Sequence, residues 1–158
     1  MIAFTPEIVA DLQPVVQARM LYADTDRMGI IYHASYFRYL ELARIELLRK
    51  AGLSYVQLEK LGLALPLVEL GVRYIKPAQY DDLVTINTGI SKVTRVRLAV
   101  QYRLVVQPGD REELTEPVEI LTAETRHCCV DRKTNRPTRV PMDAYTLLHR
   151  MWKGTDPE

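Results

Sequence analysis

Apolar positions change their spacing twice along this chain. Residues 15–22 hold Val15, Val16, Met20 and Leu21 in a short run that predicts a strand. Over residues 36–51 the spacing becomes helical, with Tyr36, Leu40, Ala43 and Leu47 three or four residues apart. Ser35 is a suitable N-cap and Gly52 a suitable stop. Phe37, Leu42, Ile45 and Leu48 add apolar groups around most of the remaining circumference, which predicts a helix buried nearly all round. Its charges are expected to pair locally, Arg38 with Glu41 and Glu46 with Lys50. A short helix is expected over residues 54–61.

From Ala64 onward the period is two. Val68, Leu70, Val72 and Tyr74 alternate with Glu69, Gly71 and Arg73. Val84, Ile86 and Ile90 continue the pattern after a turn at Tyr80-Asp81-Asp82. Val96, Leu98, Val100, Tyr102 and Leu104 form the clearest strand, and Pro108-Gly109-Asp110 marks a turn. A further long strand is predicted over residues 118–130, then a hairpin loop over 131–137. Pro141 opens a last helix running to about Arg150. Residues 1–13 read as a loose arm and 154–158 as a frayed tail. Strands joined by short turns pair antiparallel, so the expectation is an α+β domain in which one sheet curls around one long helix.

At 158 residues the chain suits a single domain with no internal boundary. Its 47% hydrophobic and 26% charged content is ordinary for a globular protein. A net charge of +1 argues against nucleic-acid binding by bulk charge. No apolar run approaches the ~20 residues of a membrane span, and Met1–Glu7 lacks the basic start of a signal peptide. Cys128 and Cys129 are adjacent, which disfavours a disulfide between them on a strand and does not match zinc-ligand spacing. One thiol is expected buried and the other less so, in a cytoplasmic protein without metal or cofactor.

Candidate chemistry concentrates in residues 22–33, where Asp24, Asp26, Gly29 and His33 lie between a strand and the long helix. Backbone N–H groups and the dipole at a helix start favour negative charge there. The Asp24-x-Asp26-x-x-Gly29 spacing resembles half a calcium loop, but Met28 and Ser35 occupy positions where that loop needs oxygen ligands. An aspartyl-phosphate nucleophile needs a parallel α/β scaffold, which the pattern does not predict. His127 and His149 read as structural. No Gly-x-Ser-x-Gly elbow, Walker loop or Gly-x-Gly-x-x-Gly is present. Asp26 suits either a catalytic acid or a cap on the following turn; Asp24 suits a cap.

The run Tyr22-x-Asp24-x-Asp26-x-x-Gly29-Ile30-Ile31-Tyr32-His33-x-x-Tyr36, with Glu41-x-x-Arg44, resembles the signature of the 4-hydroxybenzoyl-CoA thioesterase family, nearest its short-chain and Tol–Pal-associated acyl-CoA thioesterases. Tyr80-Asp81-Asp82-Leu83-Val84 is similar too. The resemblance implies a hotdog fold, a homodimer with sites at the shared interface that pairs into a tetramer, and hydrolysis of acyl-CoA. It implies Asp26 as the catalytic carboxylate, nucleophile or general base, with Asp24 supporting. The N–H near His33 would polarise the thioester carbonyl, while His33 itself positions water or assists thiolate departure. His33 stands where the aliphatic subgroup has histidine and the aryl-CoA enzyme tyrosine. Tyr22, Gly29, Tyr32 and Tyr36 are candidate substrate contacts. Lys92, Arg95 and Arg97 are candidate holders of the CoA phosphates, with Arg126, Arg132, Lys133 and Arg136 a second basic cluster. The rival readings are a non-catalytic acyl-CoA sensor, a hydratase on the same fold, and a thioesterase for aryl-CoA or acyl-carrier substrates. A hydratase is expected to carry a histidine on or beside the central helix, and this helix has none.

Overall fold

Strict alternation along one strand organises the molecule. In the computed structural model, which describes residues 7–157, Leu98, Val100, Tyr102 and Leu104 of the strand Arg97–Val106 are buried on one face. In chain order the elements are β1 (Gln13–Arg19), α1 (Tyr36–Lys50), α2 (Tyr55–Lys60), β2 (Leu63–Ala64), β3 (Leu67–Tyr74), β4 (Leu83–Val93), β5 (Arg97–Val106), β6 (Val118–Cys128), β7 (Val130–Asp131) and α3 (Met142–Lys153). Five strands form one antiparallel sheet in the order β1-β4-β5-β6-β3, and β2 pairs with β7 in a small second sheet. The inner face packs on α1, whose Tyr36, Tyr39, Leu40, Ala43, Leu47 and Leu48 are buried; α3 covers β4 beside it. This is the α+β hotdog arrangement expected from the sequence.

Several local expectations are corrected. The first strand ends at Arg19, and Tyr22–Asp24 forms a 3-10 turn, because the Asp24 carboxylate accepts the Leu21 N–H at 3.2 Å and bends the chain there. Ser35 does not cap α1 with its side chain; its hydroxyl donates to the Asp24 carbonyl at 3.2 Å. Arg38 pairs with Asp24 rather than Glu41. Glu46 meets Arg49 at 3.8 Å, while Lys50 donates to the Pro14 carbonyl at 3.3 Å. Phe37 and Leu42 remain 39% and 37% exposed, so α1 buries one face only. The strand predicted through Val130 breaks at Cys129, whose N–H is drawn to the Val96 carbonyl at 2.7 Å. Cys129 is buried and Cys128 partly so.

The outer sheet face carries the N-terminal arm. Residues 1–6 of the arm lie outside the described residues. Beyond them the Gln101 side chain donates to the Glu7 carbonyl at 2.7 Å and accepts the Val9 and Ala10 N–H groups at 2.9 and 3.0 Å. Gly89 permits this crossing, since a Cβ there would lie 2.3 Å from the Asp11 carbonyl oxygen. At the other end, α3 runs three residues past the predicted Arg150 and stops at Gly154, where φ is +73°. Asp156 then turns back to pair with Arg150, and His149 meets the Thr155 carbonyl at 2.8 Å.

Candidate active site

Two buried carboxylates build the frame of the cleft, and a third, less buried one faces it. Asp24 is fully buried; its side chain accepts from Leu21 N–H and the Tyr39 hydroxyl and pairs with Arg38. Its carbonyl accepts the Tyr32 N–H at 2.8 Å. Asp24 therefore ties the loop to the first turn of α1, and its full burial keeps its oxygens away from the cleft. Asp82, 2% exposed, does the same on the opposite side. It accepts the Gln79 N–H at 2.7 Å and a forked pair of bonds from Arg111 at 2.8 and 2.6 Å.

Between these anchors the loop turns tightly. Asp26 N–H donates to the Ile30 carbonyl at 2.9 Å and Gly29 N–H to the Asp26 carbonyl at 3.0 Å. Gly29 has φ +77°, a left-handed conformation that glycine adopts without the Cβ penalty. The half-buried Asp26 carboxylate accepts one bond, from Met28 N–H at 2.7 Å to Oδ1. Its Oδ2 meets no donor among the described residues. One Asp26 oxygen thus caps the turn and the other remains free.

Asp26 and His33 line one cleft of about 320 Å³, with Tyr36 from α1 and apolar walls from Met28, Ile30 and Ile31. The remaining wall is Tyr74, Ile75, Lys76 and Pro77, from the end of β3. Reading the chain alone missed these four. Pro77 closing an alternating strand was a visible turn signal, but nothing in the pattern couples that turn to residues 26–33. Tyr74 donates to the His33 carbonyl at 2.8 Å and so holds the helix entry in place. Among the described residues the His33 N–H itself meets no acceptor. Tyr36 accepts the Ala78 N–H at 3.0 Å. Burial pushes the Tyr36 phenol above its ordinary range, the Ala78 bond opposing it, and burial likewise raises Tyr74. Both stay neutral hydroxyls at physiological pH.

The other candidates fall elsewhere. Gly29 shapes the loop without lining the cleft. Tyr22 is 77% exposed and meets Tyr80 edge-on at 5.8 Å; Tyr32 stacks at a tilt on the His33 ring, 4.2 Å between centroids. Lys92 and Arg97 line a separate outer-face groove of about 530 Å³, with Arg126 and the arm residues Glu7 and Val9. Arg95 does not join them, because its guanidinium donates to the Val140 carbonyl at 3.2 and 3.1 Å. Within the second basic cluster, Arg126 pairs with Glu69 and the buried Glu124 at 2.7 and 2.6 Å. The pairing register skips one residue at Val68 and one at Ser91, and both bulged residues line this groove. Among the described residues no group of three or more His, Cys, Asp or Glu is placed to hold a metal ion, and no helix is long and apolar enough to cross a membrane.

Comparison with known proteins finds relatives of this chain. The "Putative acyl-CoA thioesterase YneP" of Bacillus subtilis is 30% identical over 116 residues, 73% of this chain and 78% of that one. The "Acyl-CoA thioester hydrolase YbgC" of Escherichia coli is 32% identical over 123 residues, 78% of this chain and 86% of that one. A crystal structure of the hypothetical protein TT1821 from Thermus thermophilus superposes with a TM-score of 0.76 at 33% identity, covering 88% of this chain and 99% of its own. The family model described as the thioesterase-like superfamily matches residues 20–148, and on that match, with the sheet wrapped around α1, the chain belongs to the thioesterase-like superfamily of hotdog proteins.

Proposed function

We propose that the protein hydrolyses the thioester of small or medium acyl-CoAs, releasing the free acid and CoA thiol, with Asp26 as the reacting carboxylate. The carrying observation is that Asp26, with a free carboxylate oxygen, and His33, with an unspent N–H ahead of a helix, line one largely apolar cleft. As nucleophile, the carboxylate adds to the thioester carbonyl, expels the thiolate and leaves a mixed anhydride that water cleaves. As general base, it takes a proton from water as that water adds. In both routes negative charge grows on the carbonyl oxygen, where the His33 N–H is the available donor; one such donor is typically worth about 10²–10³ in rate. The His33 ring, beside the same cleft, positions water or protonates the departing sulfur. Tyr36 lines the acyl pocket; Tyr22 and Tyr32 stand outside it. The hydrolysis itself accords with relatives named as acyl-CoA thioesterases.

A dimer brings the remaining candidates into use. β3 is a sheet edge, and Leu67, Val68, Tyr74 and Ile75 on or beside it are 50%, 57%, 47% and 45% exposed. Antiparallel pairing with a second β3 sets the Tyr74 end of one copy beside the Leu67 end of the other. The cleft of one protomer then adjoins the groove of its partner, where Lys92 and Arg97 can receive the CoA phosphates. The exposed Phe37 and Leu42 on α1 offer a second apolar face for pairing dimers into a tetramer. The free thiols and the CoA substrate support a cytoplasmic placement.

The test is thiol release from a panel of acyl-CoAs, read with DTNB, for the wild type and Asp26→Asn. Turnover on short or medium acyl-CoAs that falls at least about a hundredfold in the variant is expected. Binding of acyl-CoA without any thiol release identifies the non-catalytic sensor instead. Single turnover in ¹⁸O-water labels Asp26 only if the carboxylate is the nucleophile.

A further inference from the structure

Arg111 lies on the segment between β5 and β6, far along the chain from residues 22–36, and does not line the cleft. Its side chain is 21% exposed and holds both oxygens of Asp82, itself 2% exposed, in a forked pair at 2.8 and 2.6 Å. The same guanidinium reaches the Pro77 carbonyl at 3.4 Å. Asp82 in turn accepts the Gln79 N–H. Beside the Tyr74 bond to the His33 carbonyl, the turn so pinned makes three connections to the catalytic loop and the start of α1: Ala78 N–H donates to the Tyr36 hydroxyl at 3.0 Å, Ala78 carbonyl accepts the Ile31 N–H at 2.9 Å, and Gln79 bridges to Ile30.

We infer that Arg111 is a positioning residue for hydrolysis, acting through Asp82 and the Pro77–Gln79 turn to set the distance between Tyr36 and the Asp26 loop. This rests on the thioesterase reading above. A buried ion pair is a poor source of stability compared with apolar residues of the same volume, whereas a forked guanidinium fixes direction as well as distance. The pair orders a wall of the cleft, and a misplacement of about 1 Å in such a wall costs on the order of a hundredfold in rate. The outer groove, where the CoA phosphates are placed, is untouched by it.

The experiment compares kcat, KM and thermal midpoint for the wild type, Arg111→Lys, and the double variant Asp82→Asn/Arg111→Met. Arg111→Lys keeps the charge and loses the fork; kcat is expected to fall about tenfold or more, with KM within about twofold. The double variant removes both charges and keeps an acceptor for the Gln79 N–H, so its midpoint is expected to fall by only a few degrees while kcat remains at least tenfold down. A double variant, or a folded Arg111→Lys, that keeps wild-type kcat overturns the inference. So does a kcat loss matched by a loss of folded fraction in circular dichroism. Should the wild type itself release no thiol from any acyl-CoA, the thioesterase reading fails first, and that failure is distinct from either variant outcome.

Discussion

The inner cleft and the outer groove are both concave and both border the edge strand β3, yet they are built differently. The cleft comes from a tight loop, a helix entry and a strand end, held by backbone hydrogen bonds and by the two buried aspartates Asp24 and Asp82. Its one half-buried acid, Asp26, keeps an oxygen free. The groove is floored by regular strands, and its buried polar groups satisfy one another: Gln101 donates to Glu124 at 2.7 Å, and Glu124 is paired with Arg126. Its rim cations Lys92 and Arg97 are exposed. Under the proposed function the cleft, as the reacting site, keeps a functional group unspent, and the groove, as the holder of a charged ligand, satisfies its floor and leaves charge at the edge.

Kinetics can break this division. Asp26→Asn should lower kcat by about 10²–10⁴ with KM nearly unchanged, measured by steady-state thiol release; a KM effect alone would place Asp26 in binding rather than reaction. The next largest effect concerns the groove floor. His127 is 1% exposed, its ring nitrogens facing the Leu65 carbonyl at 3.1 Å and Thr125 at 3.0 Å. Burial, with Arg44 nearby, lowers it to about 4. Its folded value lies below the ordinary 6.5, so its contribution is complete above about pH 6.5 and is lost as pH falls toward 4. The loss is on the order of 3 kcal/mol across that window. Melting curves of wild type and His127→Gln between pH 7 and 4.5 should converge as the pH drops.

Asp24→Asn should cost about 1–3 kcal/mol, since it removes a buried acceptor from Tyr39 and Arg38. Chemical denaturation reads that loss, and kcat per folded molecule is expected to change far less than in Asp26→Asn. Equal kcat losses in the two variants would erase the distinction between frame and reacting group. The smallest effect is expected at the groove rim: Lys92→Ala/Arg97→Ala should raise KM for acyl-CoA about tenfold, more at low salt, and leave kcat alone. Arg95→Ala, whose partner is the Val140 carbonyl, should leave KM unchanged.

Much of this was legible in the chain. The alternation of residues 96–104 and the helical spacing of 36–51 hold because each pattern answers to a local backbone period. The Asp24-x-Asp26-x-x-Gly29 spacing was legible for a similar reason, since the loop bonds to itself over four or five residues. Charge pairing on α1 was not: Arg38 chose Asp24 because a fully buried carboxylate rewards a partner more than an exposed glutamate does.

Read alone, the chain settles the long helix and the long strands though not their ends, that they make an antiparallel α+β fold, and which acids and histidine flank the helix entry. Only the folded sheet decides that Tyr74, Lys76 and Pro77 complete the cleft, that Arg95 leaves the basic group while Lys92 and Arg97 stay, and that Arg111 braces the far wall. Those outcomes depend on strand register and on contacts between residues dozens of positions apart. A local hydrophobic pattern carries the period of its own backbone and no information about what that backbone will meet.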